Sequence, residues 1–411
     1  MKFPKNFYWG AATASYQVEG WNENTDWAVA AKQGKVPLAG RLADHYHRYE
    51  EDFDIAKELG HNAHRFSIEW ARIEPCEGIF DEMEIEHYRD VLKALKKRGI
   101  TPFITLWHFT LPIWFSEKGG FEHPDSPELF ARYASHVVEK LGDLCEHFST
   151  INEPNVWASH GWIYGAWPPF KRGKILNIPL GKNDGSTARV GATPSFKNIF
   201  LYFRVEKNLV KSHIAAYNVI KKVRRDTKVS IVKHVHWFTS NKKLINRLKA
   251  AVMQYLQSGR YMKRIAGHLD EIGLNYYRHT KFGENKDYLL TDMGWKMYPS
   301  GIYGALMTLK KFNLPIFVSE AGIADADDDI RAQYLSVQVQ SMTKAMEDGV
   351  DVHGHMYWSL IDNYEWAMGV DKKFGLVEID YQTLKRTIRP SAWEYKKLIE
   401  KYSSSALDRK L

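Results

Sequence analysis

The feature that most constrains the fold is the alternation of short β-rich runs with longer segments of helical periodicity along the whole chain. Strands that alternate with helices pair in parallel, and eight such repeats favour a closed barrel over an open sheet. The predicted strands cover residues 7–10, 62–68, 101–108, 148–153, 228–237, 271–277, 315–320 and 352–361. The predicted helices cover residues 45–59, 84–98, 128–147, 203–224, 302–312 and 329–348. The sequence therefore predicts an α/β fold, a single (β/α)8 TIM barrel.

The main rival architecture is a doubly wound parallel sheet that binds a dinucleotide. No glycine-rich turn follows an early strand, and the segment WGAATAS at residues 9–15 does not match the dinucleotide fingerprint. No low-complexity linker divides the chain, so we expect one barrel domain over residues 1–411. A stretch rich in Gly, Lys, Asn and Ser at about residues 171–198 predicts a long loop after the fourth strand.

The composition argues against several other classes of protein. The two cysteines, Cys76 and Cys145, are too few for a disulfide framework, and the N-terminal residues lack the apolar core of a signal peptide. No run approaches the ~18 apolar residues of a spanning helix. We therefore expect a cytoplasmic protein, and the sequence argues against membrane association. Aromatic residues make up 14% of the chain, which suits a cleft that stacks on sugar rings as well as an ordinary core.

The net charge of +8 is spread along the chain, and its densest part is residues 241–264. The pattern there predicts a surface helix with a solvated basic face, and a membrane-surface or nucleic-acid role is the alternative. We expect no nucleic-acid partner. The oligomeric state stays open, and a homo-oligomer is one of the options. The apolar residues that recur at helical spacing in this segment are Leu244, Ile245, Leu248, Val252, Tyr255 and Leu256.

Polar and aromatic residues follow most of the predicted strands, and in a barrel this is the end that carries the active site. Glu153 follows the fourth strand in INEPN, and Glu320 ends the seventh strand in VSEAG, so we expect two carboxylates to face each other across the barrel mouth. Such a pair suits glycosidic-bond cleavage. One group protonates the leaving oxygen, and the other meets the positive charge that develops at the anomeric carbon. The other strand-end residues are Gln17, Glu19, Arg65, Trp107, His108, Asn152, Asn275, Tyr276, Tyr277, Ser319, Trp358, Asp362, Glu365 and Trp366.

A metal centre is the rival chemistry, because several histidines are paired in the sequence. Alternate residues of a strand share one face, which brings such histidines together. However, no His-Glu-x-x-His pattern and no cysteine pair supports a metal site. We therefore expect no metal and no cofactor. The histidines in question are His61 with His64, His234 with His236, and His353 with His355.

Seven sequence blocks resemble glycoside hydrolase family 1, the β-glucosidase and β-galactosidase family, and they occur in the family's order from residue 3 to about residue 393. The compact length and the wording of several blocks are most similar to short archaeal members. The blocks are FYWGAATASYQVEG, RFSIEWARIEP, TLWHFTLPIWF, INEPN, GLNYY, MGWKMYPSGI and YWSLIDNYEWAMGVDKKFGLVEIDY.

The resemblance implies a retaining exo-β-glycosidase that acts on small-molecule β-glycosides or oligosaccharides. Such an enzyme hydrolyses terminal non-reducing β-D-glucosyl, galactosyl or related residues through a covalent glycosyl-enzyme intermediate. A transglycosylase with the same site, or a carbohydrate-binding barrel without catalysis, is the alternative.

The resemblance also implies a role for each site residue. Glu153 would be the acid/base and Glu320 the nucleophile, which Arg65, Tyr277 and Asn275 would support. The substrate-binding residues would be Gln17, His108, Asn152 at the sugar 2-hydroxyl, Trp358 as the floor of the site, Glu365 and Trp366.

The chain departs from the family at one position beside the nucleophile. Ala321 stands after Glu320, where Asn is usual. A second comparison concerns the substrate. Family members that take 6-phosphorylated sugars replace the glutamate at position 365, so Glu365 implies that this chain takes neutral sugars.

Overall fold

The computed structural model describes residues 3–171, 195–284 and 288–403, and it contains a closed barrel of eight parallel strands. Each strand pairs with its neighbours in chain order, and the first strand closes the barrel against the last. The prediction of a (β/α)8 barrel is therefore confirmed. The strands are β1 Tyr8–Ala12, β2 Ala63–Ser67, β3 Thr101–Trp107, β4 His147–Asn152, β5 Lys228–His234, β6 Glu271–Tyr276, β7 Ile316–Ala321 and β8 Val352–Trp358.

Helices connect the strands and cover the outside of the barrel. Shorter 3₁₀ or π segments extend or join several of them, at Gly120–Glu122, Ser159–Tyr164, Tyr255–Gly259, Pro299–Gly301, Lys310–Phe312 and Trp366–Met368. The α-helices are Ser15–Val18, Asp26–Lys32, His45–Glu58, Trp70–Ile73, Glu82–Lys97, Ile113–Glu117, Ser126–Leu141, Pro154–Ala158, Phe196–Val223, Leu244–Gln254, Arg260–Ile265, Ile302–Leu309, Arg331–Glu347 and Pro390–Tyr402.

Four predicted boundaries are wrong by more than two residues. The strand predicted at 352–361 ends at Trp358, because the backbone N–H of the next residue, Ser359, donates to the carbonyl of Phe374 instead of to a barrel strand. The helix predicted at 128–147 ends at Leu141, because the chain turns there and β4 already begins at His147. The strand predicted at 228–237 ends at His234, and Trp237–Ser240 instead pairs with His279–Phe282 outside the barrel. The helix predicted from residue 203 begins at Phe196, within the predicted loop 171–198. Residues 172–194 of that loop lie outside the described residues.

Both faces of the barrel strands are covered. Every residue of β2, β4, β6 and β7 is buried, as expected for parallel strands between a filled interior and a layer of helices. The helix Glu82–Lys97 shows how that layer forms. Asp81 caps its first turn by accepting hydrogen bonds from the backbone N–H groups of Met83 and Glu84, and its apolar stripe is buried.

Large side chains fill the barrel interior towards the amino ends of the strands. Phe103, Phe317 and Met356 pack there with Ala63, and Tyr8 lies against them. Gly10 allows β1 and β2 to approach closely, since a Cβ atom at this position would lie 1.8 Å from the carbonyl oxygen of Ala63. Because the interior is filled towards the amino ends of the strands, a ligand can enter at their carboxyl ends, where the polar residues lie.

Candidate active site

A cavity of about 160 Å³ lies at the carboxyl ends of the strands. Nine of the eleven site residues predicted from the sequence line it, and they are Gln17, His108, Asn152, Glu153, Tyr277, Glu320, Trp358, Glu365 and Trp366. The other two, Arg65 and Asn275, are buried and hydrogen-bonded to lining residues. The structure therefore brings all eleven predicted residues together at one place.

The segment INEPN positions Glu153 by ending a strand and starting a helix within two residues. Asn152 is the last residue of β4, and Pro154 begins the helix Pro154–Ala158, where its fixed φ and missing N–H are tolerated. Glu153 joins them with φ 41° and ψ 56°, a left-handed conformation that is uncommon for a residue other than glycine. Its backbone N–H donates to the carbonyl of Val232 on β5 at 2.9 Å. This turn directs the Glu153 side chain into the cavity.

Two neighbouring side chains hold the carboxylate of Glu320. Arg65 donates from one guanidinium nitrogen to Oε1 of Glu320 at 2.5 Å, and the Tyr277 hydroxyl donates to Oε2 at 2.8 Å. Arg65 is itself fixed, because it also donates to Asn152 Oδ1 at 2.8 Å and to Thr105 Oγ1 at 2.9 Å. A buried arginine and a phenol O–H both stabilise the ionised form of a carboxyl group and set its orientation.

The position of Asn275 differs from the expectation that it supports Glu320. Its side-chain amide donates to Oε1 of Glu153 at 2.8 Å, and its carbonyl oxygen accepts from the Ser319 hydroxyl at 2.7 Å. Asn275 and Glu320 are register partners on β6 and β7. The side chain nevertheless reaches the other carboxyl group, because Ser319 fixes the carbonyl end and leaves the N–H₂ end directed at Glu153.

The two carboxyl groups have different electrostatic environments. Burial raises the pKa of Glu153 well above its ordinary value, and the nearby charge of Glu320 raises it further. The hydrogen bond from Asn275 and the positive charges of Lys233 and Arg65 act in the opposite direction but do not outweigh burial. The raised pKa favours the protonated form of Glu153, beside a Glu320 carboxyl group that is paired with arginine. This combination of an acid and an anion is suited to glycosidic-bond cleavage.

Buried polar atoms without a protein partner remain in the wall of the cavity. Neither Oε1 of Gln17 nor Nδ1 of His108 makes a hydrogen bond with another described residue, although both side chains line the cavity. The Gln17 amide nitrogen is fixed by Asn363 Oδ1 at 3.0 Å and by the Tyr364 carbonyl at 2.7 Å. Burial lowers the pKa of His108 far below its ordinary value, so its ring is neutral. A buried polar atom without a partner is costly, and a ligand with hydroxyl groups would satisfy both atoms.

An aromatic and thioether wall completes the cavity, and the sequence analysis assigned no role to it. Met293, Trp295 and Phe374 belong to a small apolar cluster that packs against Trp358, and all three line the cavity. Trp295 Nε1 is another buried donor without a partner among the described residues. Trp295 stands within the block MGWKMYPSGI, which was the signal that could have identified it. The wall offers apolar contact to a ligand in the cavity.

Some polar residues at strand ends serve the fold and lie outside the cavity. Glu19 accepts from Arg72 at 3.0 Å and from Tyr88 at 2.8 Å, and Asp362 pairs with Arg389 at 2.9 Å. Five of the six paired histidines have a hydrogen-bond partner in the protein, and His61 has none among the described residues. His355 contacts Tyr395 and Gln338, and among the described residues no group of three or more His, Cys, Asp or Glu is placed to hold a metal ion.

Comparison with known proteins identifies the family. The model of glycosyl hydrolase family 1 matches residues 1–257 and 243–403. Beta-glucosidase A of Thermotoga maritima is 30% identical over 97% of this chain and 98% of its own length, and the beta-galactosidase of Sulfolobus acidocaldarius is 27% identical over 97% and 95%.

Solved structures agree with this result. The beta-glycosidase from Pyrococcus horikoshii superimposes with a TM-score of 0.84 at 34% identity and covers 99% of both chains. The beta-glucosidase from Thermotoga maritima in complex with glucoimidazole gives a TM-score of 0.86 at 30% identity and covers 98% of this chain and 99% of its own.

The fold and the paired carboxyl groups define a glycoside hydrolase built on a TIM barrel. Within that class, the chain belongs to glycosyl hydrolase family 1. It is an enzyme of the β-glucosidase and β-galactosidase type, which acts on O-glycosyl bonds.

Proposed function

We propose that the protein is a retaining exo-β-glycosidase in which Glu153 is the acid/base and Glu320 is the nucleophile. The observation that carries this proposal is the contrast between the two carboxyl groups. Glu320 accepts hydrogen bonds from Arg65 and Tyr277, whereas burial raises the pKa of Glu153. The substrates are small β-glycosides or oligosaccharides, whose terminal non-reducing sugar occupies the cavity.

The first step makes a bond between Glu320 and the sugar. A Glu320 oxygen attacks the anomeric carbon from the face opposite the leaving group, while Glu153 gives its proton to the glycosidic oxygen as that bond breaks. Glu153 is then a carboxylate. Asn275 stabilises this charge, because its amide already donates to Oε1 of Glu153 at 2.8 Å.

The second step returns the enzyme to its starting state. The Glu153 carboxylate removes a proton from a water molecule, and the water oxygen attacks the anomeric carbon as the bond to Glu320 breaks. Two inversions leave the product with the β configuration. Asn152 contacts both Arg65, which holds Glu320, and His108, which lines the cavity. We assign Asn152 to the 2-hydroxyl of the sugar.

A panel of aryl β-glycosides tests the proposal, with gluco, galacto, fuco and manno sugars. We expect hydrolysis of at least one neutral sugar, and ¹H NMR of an early time point should show the β-anomer of the free sugar before mutarotation. The α-anomer as first product would contradict the retaining mechanism. A protein that binds these sugars and releases no phenol would instead be a carbohydrate-binding barrel.

The pH dependence of kcat/KM should be bell-shaped, and the alkaline limb should belong to Glu153. Glu153 must be protonated for the first step, and because its pKa is raised, activity is retained at neutral pH and is lost as the pH rises through that pKa. The variant Glu153→Gln cannot ionise. With an aryl glucoside whose phenol needs a proton, its slower glycosylation should show no alkaline limb, whereas Glu378→Gln, a change at an exposed position on Val377–Ile379, should keep it. An unchanged limb in Glu153→Gln would show that another group is the acid.

Neutral sugars should be preferred to 6-phosphorylated sugars, and the preference should increase with pH. Burial and the charge of Glu320 raise the pKa of Glu365 to about 8, so this group becomes negative only as the pH rises through that value. A carboxylate about 4 Å from a phosphate repels it by roughly 1–4 kcal/mol per pair of unit charges. The ratio of kcat/KM for glucoside and 6-phosphoglucoside should therefore be larger at pH 9 than at pH 7. An equal or better efficiency on the phosphorylated sugar would overturn this prediction.

A further inference from the structure

A second pocket lies behind the wall of the active cavity, and the proposed function does not use it. Its volume is about 230 Å³, against about 160 Å³ for the active cavity, and the two share no lining residue. Two stacked rings separate them. Tyr16 lines the second pocket, and its ring lies 6.2 Å from that of Trp366, which lines the active cavity, with 6° between the ring planes. We call the second pocket the Trp21 pocket, because the indole of Trp21 forms part of its wall.

The backbone of the segment after β1 fixes the shape of the Trp21 pocket. Trp21 has φ 55°, in the left-handed region, and its backbone N–H donates to the carbonyl of Gly40 at 2.8 Å. The helix Asp26–Lys32 contributes Ala28 and Ala31, which lie one turn apart on the same side of the helix and line the pocket. Their small side chains leave the space that larger residues would fill, so the pocket is part of the folded chain.

Two large apolar side chains in the wall are exposed to solvent. The exposed fraction of Trp21 is 56%, and that of Leu38, which also lines the pocket, is 72%. A tryptophan offers a wide, rigid apolar surface together with a polar N–H group. An exposed indole beside a concave pocket is therefore suited to bind a flat ligand that has one apolar face.

The polar part of the wall is a buried amide with one unused acceptor. Asn22 is 9% exposed and lines the pocket. Its Nδ2 donates to Oε2 of Glu19 at 3.3 Å, and Glu19 is held by Arg72 at 3.0 Å and lies outside the lining of this pocket. Oδ1 is therefore the end of the amide turned away from Glu19, and it has no partner among the described residues. A buried acceptor without a donor is costly, and a ligand with a hydroxyl group would satisfy it.

The charges of the wall select a neutral ligand. Lys32 donates to Oε2 of Glu23 at 2.8 Å, and both residues line the pocket, so the two charges offset each other. An anion could not satisfy Oδ1 of Asn22, because both are acceptors. An acyl chain would leave the same oxygen without a donor. A pyranose ring has one apolar face for the indole and hydroxyl groups for the amide, so it meets both requirements.

We propose that the Trp21 pocket is a second, non-catalytic binding site for a sugar ring of a neutral oligosaccharide or polysaccharide. The ring stacks on Trp21, and one of its hydroxyl groups donates to Oδ1 of Asn22. Neither Glu153 nor Glu320 lines this pocket, so it binds sugar without cleaving it. The site follows the carboxyl end of β1, and a sugar chain held there stays beside the barrel mouth. Binding at this site does not depend on the roles proposed for the two carboxyl groups.

Native electrophoresis in gels that contain mixed-linkage β-glucan, a soluble neutral polymer, tests this site. A long polymer has few chain ends, so the active cavity, which is closed towards the amino ends of the strands, contributes little. The wild type should migrate more slowly than in a gel without polymer. Trp21→Ala should weaken the affinity by about tenfold or more, because it removes the largest contact. Asn22→Leu keeps the volume of the side chain but removes the acceptor, and it should also weaken binding.

The matched control is Met83→Ala, which changes an apolar residue that is 83% exposed and lies outside the pocket, and it should migrate like the wild type. The circular dichroism spectrum should be the same in all four proteins, which shows that the variants fold. Because electrophoresis measures binding alone, its result is separate from any result on glycosidase activity.

Three outcomes would overturn the proposal. The first is that the polymer does not slow the wild type, or slows Trp21→Ala equally. The second is slowing by carboxymethylcellulose and not by the neutral polymer, which would show charge attraction to a basic protein. The third is a dimer in light scattering that Trp21→Ala dissociates, without any binding of β-glucan, which would assign the pocket to a second copy of the chain.

Discussion

The variant Glu320→Ala should lose about 10⁴-fold or more in kcat on an aryl glucoside, because it lacks the group that bonds to the sugar. Azide should restore turnover with 2,4-dinitrophenyl β-glucoside, whose phenolate leaves without a proton. The alanine leaves a space in front of Arg65 and Tyr277, and an anion can enter there because both side chains are donors. Azide then forms a C–N bond at the anomeric carbon as the phenolate leaves with its electron pair. The product should be the α-glucosyl azide, since one displacement inverts the configuration.

The matched control for this experiment is Glu320→Gln. This substitution also removes the nucleophile but keeps the volume of the side chain, so azide should give little or no rescue. Rescue of both variants to the same extent would point to a general salt effect. A β-glucosyl azide from Glu320→Ala would mean that Glu320 and Glu153 have exchanged roles.

The variant Glu153→Ala should show an effect that depends on the leaving group. For an aryl glucoside whose phenol needs a proton, the glycosylation rate should fall by about 10²–10⁴-fold, the usual contribution of general acid catalysis. With the dinitrophenyl glucoside this step should be nearly unaffected, and the glycosyl-enzyme should accumulate because no base activates water. Azide should then attack the intermediate from the side that Glu153 has vacated and give the β-glucosyl azide.

The kinetics of the Glu153→Ala reaction provide its own check. A burst of dinitrophenolate, followed by a slow phase that azide accelerates, would agree with Glu153 as the base of the second step. Equal losses on good and poor leaving groups, with no burst, would contradict that role. Asn275→Ala is a useful companion, because it removes the amide that donates to Glu153 and leaves both carboxyl groups in place.

The sequence was sufficient to predict the barrel and the two carboxyl groups, for a physical reason. The strands are buried on both faces, so they appear as apolar β-rich runs, and INEPN marks the end of one strand with a residue that must turn the chain. What the pattern could not predict is which partner a side chain selects. Asn275 was expected beside Glu320, but the hydroxyl of Ser319 fixes its orientation toward Glu153.

The helix Leu244–Gln254 shows a second limit of sequence analysis. Its apolar residues recur at helical spacing, and such a stripe normally faces the core. Here Arg247 and Lys249 are exposed together with Leu244, Leu248 and Val252, and Ala250 is the one buried residue of the helix. Gln254 is half-buried and makes hydrogen bonds with backbone groups of His236 and Phe238. Periodicity predicts that a helix is amphipathic, but it does not predict how much of its apolar stripe the neighbouring elements cover.

The most direct test of the central claim is to trap the covalent intermediate on the wild-type enzyme. A 2-deoxy-2-fluoro β-glucoside with a dinitrophenyl leaving group should inactivate the protein. The fluorine slows both steps, and the good leaving group compensates for this in the first step only, so the glycosyl-enzyme accumulates. Peptide mass spectrometry should then locate one fluoroglucosyl group on Glu320, and Glu153→Ala should still be labelled while Glu320→Gln should not. A label on any other residue, or full turnover without label and with the α-anomer as first product, would contradict the assignment of Glu320 as the nucleophile.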